Sequence, residues 1–420
     1  MATVTLANRA IFLALVARAR CLAMGCAFVL LLGLAACGGG GGAGAAGDGA
    51  STGTDVVSTQ PVPLRLAELA TDLSAPWGLA FLPDGRMLVT ERQGRMKLLR
   101  ADGQLETIIT GLPTVDARGQ GGLLGLALDP AFSSNRRVYF SFSEPDPAQP
   151  GANGTAVGRA VLSADGTRLE DVVVIWRQLP KVFSTAHFGS RLVFDREGAL
   201  FVTLGERLLD AERGFAQDLR RGHGKVVRIT AEGAPAPGNP RWELPGALPE
   251  VWSLGHRNVQ GAALHPATGE LWVSEHGAEG GDEINRVLPG RNYGWPLASR
   301  SFEYGTTTPV GAASLPGMED PLWVWEREDG APWTGGPKSS IAPAGIAFYD
   351  AAAVPQWRGS LFVTALAGQA LFRLALDGNR VVAQERLLAE RGERLRDVVQ
   401  GPDGALYLLT DNGKLLRWGA

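Results

Sequence analysis

Six stretches of this 420-residue chain repeat one pattern: Phe81–Glu91, Leu128–Phe142, Phe194–Thr203, Leu264–Ser274, Val354–Thr364 and Gly401–Thr410. Each closes one strand-like run, turns on Pro, Asp and Gly, and opens a second run rich in aromatic and β-branched residues. That is a hairpin signature. A further strand follows at Gly94–Arg100 and at Gly413–Trp418. The turns recur at uneven intervals of about 47 to about 90 residues, too long for a solenoid. A small antiparallel sheet with two apolar faces cannot bury both by itself. Arranged radially, each sheet covers its two neighbours. The repeat therefore predicts an all-β fold, a six-bladed β-propeller of four-stranded antiparallel sheets. The competing arrangement is an open sandwich with six similar turns.

The N-terminal segment reads as an address rather than as fold. Arg9, Arg18 and Arg20 precede an apolar run from Leu22 to Ala36. At about 15 residues that run is short of the ~20 a membrane-spanning helix needs. A basic flank, a short apolar core and small residues at the end make residues 1–36 an export signal. The end, Leu34-Ala35-Ala36-Cys37, is similar to the bacterial lipoprotein box. Cys37 is then the lipidated first residue, anchoring the protein to a membrane by lipid alone. Gly38 rather than Asp follows, which suggests the periplasmic face of the outer membrane. Without lipidation the product is soluble in the periplasm. Residues 37–63, rich in Gly, Ala, Ser and Thr, form a flexible tether. Cys21 and Cys26 lie in the removed segment, so the mature chain has no intrachain disulfide. Residues 64–420 form the propeller domain. They number about 357, ample for a large core.

Lys and Arg total 40 against 43 Asp and Glu, a formal charge of −3. No basic stripe is present, so nucleic acid is not an expected partner. No HExxH or paired-Cys zinc spacing appears. No Gly-x-Gly-x-x-Gly joins a strand to a helix, so a nicotinamide-binding domain is not indicated.

Equivalent positions in successive blades point to one axis. The residues ahead of each hairpin are the place to look for a site. They include Gly119–Gly122, His187, His256–Asn258, Ile341–Gly345 and Arg394–Asp397. Histidine is scarce here, five in all. A neutral imidazole is the commonest side-chain base near pH 7. His187 fits that role, with Glu206 as the carboxylate that orients it. Arg257 can place paired donors on a developing oxyanion. His276 precedes Gly277, where bare backbone can offer carbonyls to a hard cation such as Ca²⁺. His223 and His265 read as structural.

With these segments in view, the chain resembles the soluble quinoprotein glucose/sorbosone dehydrogenases, of the periplasmic aldose sugar dehydrogenase type. The similarity runs from about Pro76 to Asp411. It rests on Ala75–Phe81, Gly119–Gly125, His187–Arg191, Ala216–Leu219, Gly255–Asn258, Glu275–Gly277, Gly281–Asn285 and Asn292–Pro296. The resemblance implies a six-bladed propeller that oxidises the C1 hydroxyl of aldose sugars to lactones. Hydride passes to pyrroloquinoline quinone, and an unidentified acceptor takes the electrons onward. It implies His187 as general base, and Gln120, Arg257 and Asn258 as quinone contacts. Tyr304 and the Ala342-Pro343-Ala344 stretch match further cofactor-contacting positions. Arg394 and Arg396 match the cationic pair that meets the cofactor carboxylates. Backbone carbonyls of Gly277 and Ala278 would hold a Ca²⁺. Glu283 and Tyr293 match a second, structural Ca²⁺ position.

The chain departs from the family in four places. Glu206 stands where relatives have Asp, and Ala278 where Pro is usual. The Leu366–Gln369 loop lacks a Lys. Arg327–Ser340 reads as an insertion beside the cofactor face, with Trp333 and Lys338 available to a sugar. Two other functions remain open on the sequence: a Ca²⁺-dependent lactonase-like hydrolase, and a non-catalytic binding propeller that has kept the fold alone.

Overall fold

A computed structural model describes residues 62–325 and 340–420. The strands form six four-stranded antiparallel sheets, which are the predicted blades. Blade 1 runs Pro76–Phe81, Met87–Glu91, Arg95–Leu99 and Leu105–Ile109. Blade 2 runs Leu123–Leu128, Arg137–Pro145, Asn153–Leu162 and Leu169–Arg177. Blade 3 runs Leu192–Phe194, Leu200–Thr203, Lys225–Ile229 and Val251–Leu254. Blade 4 runs Val259–Leu264, Leu271–Glu275, Asp282–Val287 and Trp323–Trp325. Blade 5 runs Pro343–Phe348, Leu361–Ala365, Ala370–Asp377 and Arg380–Leu387. Blade 6 takes Leu395–Gln400, Leu406–Thr410 and Leu415–Gly419 from the C-terminus. Its outer strand, Arg65–Ala70, comes from the other end of the chain. Arg65 pairs with Gly419 and Leu66 with Trp418, so the ring closes through hydrogen bonds.

Every repeat seen in the sequence is the hairpin between a blade's first and second strands. The first strands stand side by side around the axis. The six larger apolar clusters among the described residues lie one at each blade interface. Trp272 and Trp325 of blade 4 meet Phe372 of blade 5, for example. This is the mutual burial that a lone sheet cannot achieve, worth roughly 25 cal/mol per Å² of apolar surface.

A polar ladder runs along the same interfaces. Thr90, Ser141, Thr203 and Ser274 lie on the second strands of blades 1 to 4, fully buried. Each donates to a backbone carbonyl of the next blade: Leu124 at 2.6 Å, Ser190 at 2.6 Å, Val259 at 3.3 Å and Ala344 at 2.7 Å. Opposite Ser141 and Ser274 the packing leaves no room for a side chain. A Cβ on Gly125 would lie 2.1 Å from the Ser190 carbonyl oxygen.

The axis itself is crossed. Arg191 of blade 3 pairs with Asp397 of the opposite blade 6 at 2.9 Å. Asp397 also accepts from the Leu79 amide of blade 1, and Arg191 donates to the Gln260 carbonyl of blade 4. The Arg191 guanidinium lies 4.3 Å from the Trp77 ring. Helices are few and short, such as Phe132–Asn135 and Asp210–Arg213. No helix among the described residues is long and apolar enough to cross a membrane. Cys37 and all of the 327–340 insertion except Ser340 lie outside the described residues.

Candidate active site

A cavity of about 300 Å³ opens at the end of the ring where the first strands begin. Gln120, Asn258, Ala342, Arg394 and Arg396, all singled out from the sequence, line it. They come from the approaches to blades 2, 4, 5 and 6, so the radial argument brings them together. Pro343 and Ala344 continue the first strand of blade 5 away from the cavity and do not line it.

His187 stands one residue behind the wall, which Phe188 and Gly189 form. Its amide donates to Gln120 Oε1 at 2.9 Å. Its Nδ1 lies 2.8 Å from Glu206 Oε2. A carboxylate only accepts, so Nδ1 carries the hydrogen and Nε2 keeps its lone pair. Among the described residues no protein group bonds Nε2. Burial pushes the His187 pKa below the ordinary imidazole value; Glu206 opposes this, and Arg257 and Arg207 reinforce it. The ring is therefore neutral at pH 7 and ready to accept a proton. His187 has φ of 48°, in the left-handed region. Glu206 reaches it because Gly205 passes beneath, where a Cβ would sit 2.0 Å from the His187 carbonyl oxygen.

Arg257 lies beside the cavity, next to the lining residue Asn258. Its amide donates to Glu275 Oε2 at 2.9 Å and its Nη2 to the Tyr304 hydroxyl at 2.9 Å. Its Nη1 donates to the Gly277 carbonyl and, at 3.3 Å, to that of His276. Tyr304 is exposed. Ala278 is buried in a small apolar cluster with Trp295 and Val310.

Trp77, Arg92, Gln260, His276, Leu366 and Asp411 also line the cavity and were not assigned to the site from the sequence. Four of them share one place in the repeat. Arg92, His276, Leu366 and Asp411 each directly follow the second strand of their blade. That register was readable: first-strand starts and second-strand ends meet at the same end of an antiparallel pair. Asp411 binds both predicted cations, Arg394 Nε and Arg396 Nε at 2.9 Å each. Three arginines against one aspartate leave the lining with a net charge of +2.

The family model described as glucose/sorbosone dehydrogenase matches residues 73–417. The chain belongs to the glucose/sorbosone dehydrogenase family. It is 42% identical to aldose sugar dehydrogenase YliI of Escherichia coli, over 85% of this chain and 93% of that one. A crystal structure of a glucose dehydrogenase superposes with a TM-score of 0.78 at 50% identity, covering 85% of this chain and 99% of the other. The pyrroloquinoline-quinone-bound aldose sugar dehydrogenase of Streptomyces coelicolor superposes with a TM-score of 0.68 at 31% identity, covering 86% and 99%. The chain is thus an enzyme of a sugar dehydrogenase family.

Proposed function

We propose that the protein oxidises the C1 hydroxyl of an aldose to the lactone, using pyrroloquinoline quinone. The observation that carries this is the pairing of a neutral, carboxylate-oriented His187 with a cavity of net charge +2. The donor set suits a planar cofactor bearing carboxylates. Arg394 and Arg396 would hold its carboxylates, and Gln120 and Asn258 its polar edge. Trp77 and Phe188 add aromatic residues to the lining, which suits a ring system. When bound, the quinone would supply the hydride acceptor. His187 Nε2 takes the hydroxyl proton as hydride leaves C1. Glu206 then faces an imidazolium and stabilises it. Arg257 directs its charge toward the reacting end.

Calcium is part of the same proposal, and its two positions differ. At Gly277 and Ala278 the donor set fits less well, because the Gly277 carbonyl accepts from Arg257. No step is routed through an ion there. At Glu283 the fit is better. Glu275, Gly281, Glu283 and Tyr293 are among the residues lining a space of about 20 Å³, which Arg257 lines as well. Burial and the Glu275 charge push the Glu283 pKa well above the ordinary carboxylate value, a repulsion that a cation would relieve.

The test is reconstitution. The apo-protein, given pyrroloquinoline quinone and Ca²⁺, is expected to reduce an artificial electron acceptor with aldoses. Equal turnover after cofactor removal and chelation ends this reading. We also propose lipidation at Cys37 and a place on the periplasmic face of the outer membrane. Cys37→Ser is expected to move the protein to the soluble periplasm, and unchanged fractionation counts against the anchor.

A further inference from the structure

We propose that Arg207 is a positioning residue for His187, its buried guanidinium tying down the backbone on the approach to that histidine. The inference rests on the reading of His187 as the base. Arg207 is fully buried. Its Nε donates to the Ala186 carbonyl at 2.9 Å, directly before His187. Its Nη2 donates to the Ser184 carbonyl at 2.6 Å and to Asn153 Oδ1 at 2.6 Å, and Nη1 to the Asn153 carbonyl at 3.1 Å. The Ser184 hydroxyl donates back to the Arg207 carbonyl. On the other side of His187, the Phe188 ring lies 3.9 Å under the guanidinium. Asn153 is held in turn by Asp116, through a 2.8 Å bond from its Nδ2.

Two adjacent residues thus divide the work. Glu206 holds the imidazole ring, and Arg207 holds the loop that carries it. The loop needs holding. His187 and Ser190 both sit at positive φ, 48° and 93°. Such a backbone angle is strained for a residue bearing a Cβ and persists only where its surroundings fix it. Arg207 and Leu208 carry the same strain, at 82° and 73°. Arg207 stacks on a ring and bonds three carbonyls and an amide oxygen, and no carboxylate pairs with it among the described residues. A lysine, with a single tetrahedral head, cannot span acceptors on both Asn153 and Ala186.

The guanidinium also leaves a positive charge near the imidazole. His187 faces Glu206 and Arg207 from its own blade, and Arg257 and His276 from blade 4. Removing the charge of Arg207 therefore moves the His187 titration upward. Lysine preserves the charge while losing the clamp, which separates the two contributions.

The experiment uses the full mature protein with Arg207→Lys, Arg207→Met and Asn153→Ala. It reads kcat, KM and the pH profile of the loaded enzyme, and the His187 NMR titration of the apo-protein. Five histidines make that spectrum tractable. Arg207→Lys is expected to lower kcat about 10- to 100-fold, the effect of a displaced reacting group, with KM within about threefold and the titration near wild type. Arg207→Met is expected to lower kcat as much and raise the His187 titration by up to about one pH unit. If Arg207→Met does not fold, Arg207→Lys and Asn153→Ala decide the matter. Asn153→Ala removes one acceptor and is expected to lower kcat severalfold. Wild-type kcat in both overturns the proposal. If the wild-type protein oxidises no sugar, the functional reading fails by itself. The apo-protein titration then decides, and a His187 titration unmoved by Arg207→Met, or by Arg207→Gln if the methionine variant does not fold, overturns the role of Arg207.

Discussion

Blades 3 and 4 each carry, ahead of the first strand, a histidine bonded to a glutamate 19 residues later. In blade 3 the pair is His187–Glu206. In blade 4 it is His256–Glu275, with Nδ1 to Oε1 at 3.0 Å. The two have opposite fates. His256 spends its second nitrogen on the Ser253 hydroxyl at 2.8 Å. Tyr293 stacks on its ring at 4.7 Å. Glu275 is equally occupied, taking the Arg257 amide and the Asn285 side-chain amide at 2.8 Å. His187 keeps one nitrogen uncommitted beside a cavity. A histidine–carboxylate pair is thus no mark of chemistry until its second nitrogen has been accounted for.

The sharpest way to break this comparison is to remove each histidine. His187→Ala is expected to lose about 10²–10⁴-fold in kcat while still quenching on quinone binding, because a general base is worth that much. His256→Ala is expected to keep kcat within about tenfold and to lower Tm, since Glu275 and Ser253 lose a buried partner worth about 1–3 kcal/mol. Equal kcat losses with unchanged Tm would collapse the distinction.

The glutamates give a smaller contrast. Glu206→Gln is expected to lower kcat about 10- to 100-fold by weakening support for the imidazolium. Glu275→Gln is expected to act on melting temperature, because three donors converge on one carboxylate. A pH series then sharpens the difference. Turnover is expected to fall as pH drops through the His187 pKa, which lies below the free imidazole value. A midpoint above that value speaks against a buried neutral base.

The smallest effect concerns a histidine outside both pairs. His223 is buried against Phe215, and burial lowers its pKa to about 3. Its folded pKa is depressed, so the unfolded chain binds the proton first. Stability is therefore fully present above the unfolded value near 6.5 and is lost as pH falls toward 3. His223→Phe is expected to flatten the acid limb of Tm and leave turnover unchanged, and an unaltered limb removes His223 from the acid response.

The fold was legible because its signal was repeated. Six turns with alternating apolar runs define six hairpins whatever their loops contain. The closing strand, Arg65–Ala70, was not legible, because strand order is not written in local pattern. Within the site, Gln120, His187, Asn258, Arg394 and Arg396 were readable as residues ahead of a hairpin. Arg92 and Asp411 were passed over because they follow a strand instead, although pairing register puts both ends together. Arg207 was unreadable for another reason: its value lies in carbonyls 21 and 54 residues away, and backbone acceptors carry no sequence signature.

The Arg191–Asp397 pair has one more consequence, and it concerns traffic. An ion pair strung across the axis from blade 3 to blade 6 makes the ring a cup rather than a tube. Whatever reaches the cavity floor arrives and departs by one doorway. On the proposed function, a sugar giving up electrons and the acceptor collecting them would share that doorway in turn, and crowding by either one would delay the other.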